Sequence, residues 1–240
     1  MKEQLTIRRI GEKTIGEFVA EDYRCAKVFE KHGIDFCCGG KISLFAACEE
    51  RGIDPEAILR EIEEVKSVPD ERGQNFGAWD LSFLADYIIN NHHSFIGETS
   101  EKISAYADKI AEVHGDNHPE VIEIAGIFRN IAGELALHLR EEEEVLFPAI
   151  KRSEAAAKAA RRPEEGDRET IKMCMALIHE HEKVGDALHE IRRLAKDYAT
   201  PYDACNTFVV TYRMLRDFED DLHKHVHLEN NILFPKAERL

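Results

Sequence analysis

The chain has 240 residues, 43% of them hydrophobic, and carries 32 Lys and Arg against 47 Asp and Glu, a formal net charge of −15. That length and apolar share can fill a substantial core, so a globular protein is expected. The acidic balance repels polyanions and anionic lipid surfaces, so neither nucleic acid nor a membrane is an expected partner.

From the N-terminus, MKEQLTIRRIGEKTIGEF lacks the apolar core of a signal peptide, and nowhere does an uninterrupted apolar run reach the length of a membrane span. The expected compartment is therefore the cytoplasm. The six cysteines (Cys25, Cys37, Cys38, Cys48, Cys174 and Cys205) are few for the length and lack the spacing of a secreted disulfide framework, which predicts reduced thiols. Apolar residues recur at intervals of three and four through most of the sequence, the helical period, so the chain is predicted to be all-α.

Residues 1–68 read as a small helical domain of three or four short helices, broken at Gly33, at Gly39 with Gly40, and between Gly52 and Pro55. Asp54 before Pro55 is a well-formed helix start. Within this domain HGIDFCCGGK, residues 32–41, sets Cys37 and Cys38 side by side in a glycine-rich turn. Backbone amides in such a turn would lower a thiol pKa and leave the sulfur exposed and reactive. The alternative is two small residues buried ahead of a turn, and the chemistry alone leaves both open. The stretch is not a phosphate loop, because Ile42 follows Gly40-Lys41 where Ser or Thr is needed, and no second cysteine pair has zinc-ligand spacing.

Residues 69–79, rich in Pro, Gly and polar side chains, read as a linker to a second domain at 80–240. There the periodicity predicts four long helices, roughly 80–113, 119–152, 166–197 and 203–238. Their connections carry Gly115, Asn117 and Pro119, then Pro163 and Gly166, then Pro201, short enough for neighbours to run antiparallel. The expected architecture is an up-and-down four-helix bundle.

The second and fourth of these helices end on nearly the same phrase, HLREEEEVLFP at 138–148 and HVHLENNILFP at 225–235. His138 and His225 lie 87 positions apart, and so do Glu142 and Glu229. On the first and third helices His93 and His181 stand 88 positions apart, so each half reads as one His, about 44 residues, then His-x-x-x-Glu. Residues four apart share a helix face, so each His and its Glu can reach one buried point. Four imidazoles and two carboxylates suit a pair of iron ions, the carboxylates offsetting charge and able to bridge.

Register selects among the neighbours. His181 continues the apolar series Cys174, Leu177, Ile178, Val184 and Leu188, whereas His179 falls off it toward solvent. His225 fits its helix's apolar positions better than His223 or His227. His92 and His93 are not separated by periodicity, and the repeat offset selects His93. Of the run Glu141 to Glu144, only Glu142 sits four after His138; the others read as a solvated face. Pro148 and Pro235 are expected to end or kink their helices.

DFCCGGK together with the two H-x-x-x-E…LFP segments resembles the iron–sulfur cluster repair di-iron proteins, the repair-of-iron-centres family, along almost the whole chain. The resemblance implies a small N-terminal domain with the Cys-Cys motif ahead of a hemerythrin-like bundle. It implies ligands His93, His138, Glu142, His181, His225 and Glu229 around two iron ions, oxo- or hydroxo-bridged and also bridged by Glu142 and Glu229. It implies functional thiols at Cys37 and Cys38, iron–sulfur proteins damaged by nitric oxide or oxidants as clients, and a bacterial stress response. A hemerythrin-like carrier or sensor of dioxygen or nitric oxide, and a nitric oxide reductase, are the alternative functions. A homodimer is compatible with exposed thiols on a small first domain.

Overall fold

A computed structural model describes residues 12–68, 75–174 and 178–240. The expected linker falls largely on residues 69–74, and part of the expected register of the third helix, Leu177, also lies outside the described residues. All the regular structure described is helical, apart from an isolated bridge between Thr14 and Ser43. The chain forms two compact units, one of residues 1–80 with 226–239 and one of residues 81–225.

Among the described residues 12–68 of the first unit four α-helices follow one another: α1 (Ile15–Glu21), α2 (Ala26–Lys31), α3 (Leu44–Arg51) and α4 (Pro55–Ser67). The starts of α1, α3 and α4 are written locally. Thr14 and Glu17 form a reciprocal capping box, Ser43 accepts from the Ala46 amide, and Asp54 accepts from the Glu56 amide with Pro55 in the first turn. Gly33 and Gly52 end α2 and α3 in the left-handed conformation, at φ 64° and 65°. The apolar faces meet around Ile15, Phe18, Phe29, Leu44 and Ile58, all buried.

The second unit opens with α5 (Leu81–Tyr87) and, after a π-helical turn at Ile88–His93, continues as α6 (Ser94–His114). The buried carboxylate of Glu154 accepts from the first amides of α5, those of Leu81 at 2.7 Å and Ser82 at 3.0 Å, a cap supplied from a distant part of the chain. Next come α7 (Glu120–Glu141), a second π turn (Glu142–Leu146) and α8 (Phe147–Lys158). The third rod is α9 (Glu165–Cys174) and α10 (Ile178–Leu194). The fourth is α11 (Asn206–Leu228), whose last turn, with the π turn (Glu229–Leu233) and α12 (Phe234–Ala237) that continue it, belongs to the first unit. Helix α7 packs along both α6 and α10, and the four rods make the up-and-down four-helix bundle.

The prolines do not end their helices. The amide of Phe147 reaches back five residues to the Glu142 carbonyl, and that of Phe234 to Glu229. Pro148 and Pro235, with no N–H to give, therefore fall where the four-residue ladder is already interrupted, and the second rod runs on to Lys158.

Helices α8 and α10 close with the same pair of bonds as α2 and α3 but without glycine. Arg161 bonds to Ala156 and Ala160 to Ala157; Asp197 bonds to Arg192 and Lys196 to Arg193. Ala160 and Lys196 are thereby held at φ 52° and 50°, and the left-handed path continues through Asp197 and Tyr198. A side chain there crowds its own backbone. Lys196→Gly should raise unfolding stability by about 1 kcal/mol, read as a higher urea midpoint at unchanged slope; a lower midpoint would contradict the strain.

Candidate metal centre

All six expected ligand residues, His93, His138, Glu142, His181, His225 and Glu229, are buried, although each is a residue type that favours the surface. Within the bundle unit they come together in two imidazole pairs. His93 Nε2 lies 3.2 Å from His225 Nε2, and His138 Nε2 lies 2.8 Å from His181 Nε2. Between the pairs stands Glu142. Its Oε2 is 3.5 Å from His93 Nε2 and its Oε1 is 3.4 Å from His138 Nε2. Neither oxygen has a hydrogen-bond partner among the described residues. Glu229 is likewise buried and begins the π turn one helical turn past His225.

The outer nitrogens fix the tautomers. Glu143 Oε1 sits 2.9 Å from His93 Nδ1, and Glu180 Oε2 sits 2.8 Å from His138 Nδ1. An Nδ1–H donated to a carboxylate leaves Nε2 as a lone pair aimed inward. His93 and His138 thus each turn an Nε2 lone pair inward, and the buried Glu142 carboxylate beside them, with no hydrogen-bond partner among the described residues, needs positive charge. The donor set therefore fits bound metal: neutral imidazoles and a carboxylate of the kind iron takes.

The structure separates His92 from His93. His92 Nδ1 meets Asp221 at 2.9 Å and its ring stacks 6.1 Å from that of His225, while His93 Nε2 points into the cluster. His179 is exposed and pairs with Glu182, as its register implies. His227 differs from expectation, being fully buried. Its ring packs 5.8 Å from Phe36 and 5.9 Å from Tyr23, and burial pushes its pKa down to about 3.

The Cys-Cys turn is organised by Asp35. Its carboxylate accepts from the amides of Cys37 (2.8 Å), Cys38 (3.1 Å) and Gly39 (2.9 Å), and from the Cys37 thiol at 3.1 Å. Gly40 is required because a Cβ there would lie 2.5 Å from the Phe36 carbonyl oxygen, while its own carbonyl accepts from Gly16 at 2.7 Å. Asn231 donates to the carbonyl of Cys37 at 3.1 Å and reaches His227 Nδ1 at 3.2 Å. The turn does not activate Cys37 in the way amide donors would suggest. Its thiol is buried and held well above its ordinary pKa, first by the adjacent Cys38 sulfur, then by burial and by Asp35. Cys38 is half-buried, and ligand atoms of Asp35, Cys37 and Cys38 lie within 4.8 Å of one another.

Two family models match the chain, a Domain of Unknown function (DUF542, the ScdA N-terminal type) over residues 11–66 and the Hemerythrin HHE cation binding domain over residues 84–237. The chain is 33% identical to the iron-sulfur cluster repair protein ScdA of Staphylococcus haemolyticus over 226 residues, 94% of this chain and 98% of the relative. It is 30% identical to the iron-sulfur cluster repair protein YtfE of Yersinia pseudotuberculosis over 227 residues, 95% of this chain and 97% of the relative. The chain belongs to the ScdA/YtfE family of iron–sulfur cluster repair proteins. Its bundle is thus a hemerythrin-type cation-binding domain, and its N-terminal helical region is the ScdA type. No helix among the described residues is long and apolar enough to cross a membrane.

For this member of the family, sequence reasoning misses the carboxylates behind the histidines. Glu143 reads as part of a solvated acidic run, and Glu180 goes unremarked. Their only signal is adjacency, each standing next to an inward-facing candidate ligand, Glu142 or His181. Glu180→Ala should weaken metal retention about 10–100-fold, measured by competition with a chelator, while the helical circular dichroism stays unchanged. Retention equal to the parent would remove Glu180 from the site.

Proposed function

We propose that this chain repairs damaged iron–sulfur clusters with a two-iron centre held by His93, His138, Glu142, His181, His225 and Glu229, the two glutamates bridging. The observation that carries the reading is the placing of Glu142. A carboxylate that turns one oxygen to each of two imidazole pairs, at 3.5 Å and 3.4 Å, is arranged to serve two cations at once. The family relatives are named for cluster repair, and damaged iron–sulfur proteins are the clients this implies.

Iron bound here supplies one-electron chemistry and open positions for small ligands such as nitric oxide or dioxygen. The protein's own residues supply the rest. Glu143 and Glu180 hold the His93 and His138 rings so that Nε2 faces inward and the proton stays on Nδ1. Phe147, stacked 5.6 Å from the His93 ring, and the fully buried Phe234 and Leu233 surround ligand-bearing turns with apolar side chains.

Cys37 and Cys38 are the second functional element. With Asp35 they offer two sulfurs and a carboxylate at one point, a donor set that accepts a transferred iron ion or passes electrons. Cys37 stays protonated until a cation displaces its proton, so its thiol binds metal without standing open to oxidants. Asn231 and His227, on the C-terminal stretch of the fourth rod that also bears Glu229, contact the loop holding these cysteines.

The test has two arms. Protein purified without chelator should contain two irons per chain, and Glu142→Ala should lose both; one zinc or no metal would end the two-iron reading. With Cys37 and Cys38 both changed to Ser, the iron content should stand while recovery of a nitric-oxide-damaged iron–sulfur enzyme is abolished. Undiminished recovery would release the cysteines from the mechanism, and a stable dioxygen adduct of the reduced protein would favour the carrier alternative.

A further inference from the structure

Helix α11 begins on a cysteine. The carbonyl of Cys205 accepts the first intrahelical bond, from Val209 at 3.1 Å, so Cys205 is the residue that caps the helix. Its sulfur faces a base: His114 Nε2, at the C-terminal end of α6, lies 3.1 Å from Sγ. The His114 ring is in turn seated against the buried ring of Phe208, edge to face at 5.4 Å. A nucleophile within hydrogen-bond reach of a base that a third group orients is the arrangement that activates thiols. Unlike Cys25, Cys37 and Cys48, which are buried, Cys205 is exposed.

We propose that Cys205 and His114 form a second reactive site, independent of the metal centre, that undergoes thiol–disulfide exchange with low-molecular-weight disulfides. His114 takes the Cys205 proton. The thiolate attacks one sulfur of R–S–S–R, a bond forms between Cys205 Sγ and that sulfur, the original S–S bond breaks, and R–S⁻ leaves with the proton returned by the imidazolium. The disulfide is the oxidant and no further electron acceptor is needed.

The surroundings favour this chemistry over a metal site. His118, the neighbouring imidazole, has both nitrogens engaged by carboxylates, Nε2 with Asp203 at 3.0 Å and Nδ1 with Glu120 at 3.3 Å, and offers no lone pair. Burial opposes the charge on His118, but the bonds from Asp203 and Glu120 outweigh it and raise its pKa. The titratable groups described around the thiol are His114 from α6, His118 and Glu120 at the start of α7, and Asp203 from the loop before α11. The Cys205 pKa is brought down to about 7, first by the Phe208 amide and then by His114, which places a large thiolate fraction at neutral pH.

The metal-loaded full-length protein should be treated with oxidised glutathione at pH 7 and mapped by peptide mass. Cys205 should carry the adduct before any other cysteine. Its alkylation rate with iodoacetamide should follow a titration centred near 7, and His114→Gln should move that midpoint upward and slow the neutral-pH reaction several-fold, with iron content and circular dichroism unchanged. A Cys205 midpoint at the ordinary thiol value, a profile indifferent to His114→Gln, or an adduct that forms first elsewhere would each overturn the proposal. Iron content reports on the metal centre separately, so loss of one reading leaves the other standing.

Discussion

The bundle is built around a carboxylate that has no business being buried alone. Glu142 is fully enclosed, accepts no hydrogen bond among the described residues, and looks onto imidazole nitrogens whose outer faces are already committed to other carboxylates. In a low-dielectric interior that arrangement is costly by itself and becomes favourable only when cations share the space. The surrounding architecture follows from this constraint. Four rods are needed to bring ligands from four directions, and the histidines must be clamped from behind so that they present lone pairs rather than protons.

The three π turns among the described residues express the same constraint in the backbone. Each coincides with candidate ligand positions: His93 closes the first, Glu142 opens the second and Glu229 opens the third. An inserted residue widens the helix, turning side chains onto a shared point that a regular helix would sweep past, and it leaves carbonyls to be satisfied by five-residue bonds. The following prolines are compatible with this register and would punish a regular one. The LFP endings that look like helix terminators are better understood as markers of the widened turn, repeated because the His-x-x-x-Glu unit itself is repeated.

Much of this was legible in the sequence because the information is periodic. The four rods come from apolar spacing, and the candidate ligand histidines come from an offset shared by two halves of the chain, which selects His93 over His92 where local pattern cannot. What escapes is anything set by pairing across helices. Glu154 caps a helix that starts more than seventy residues earlier, Glu143 and Glu180 support histidines on other rods, and His227 is buried by Phe36 and Tyr23. No local pattern encodes such partners. Chain-reversal chemistry escapes for a different reason: Ala160 and Lys196 occupy positions where glycine would announce the turn, so the helix ends are held by tertiary context at some local strain.

The cysteines show how the same residue type is set to opposite tasks by a few ångströms of context. At Cys37 a neighbouring sulfur, burial and the Asp35 carboxylate all act against the thiolate, and the amides that might have stabilised it are spent on Asp35 instead. At Cys205 no carboxylate is bonded to the sulfur among the described residues, and a histidine stands 3.1 Å from it. The deciding factor is the neighbour each sulfur is given, a carboxylate and a second sulfur in one turn and an imidazole at the start of a helix in the other.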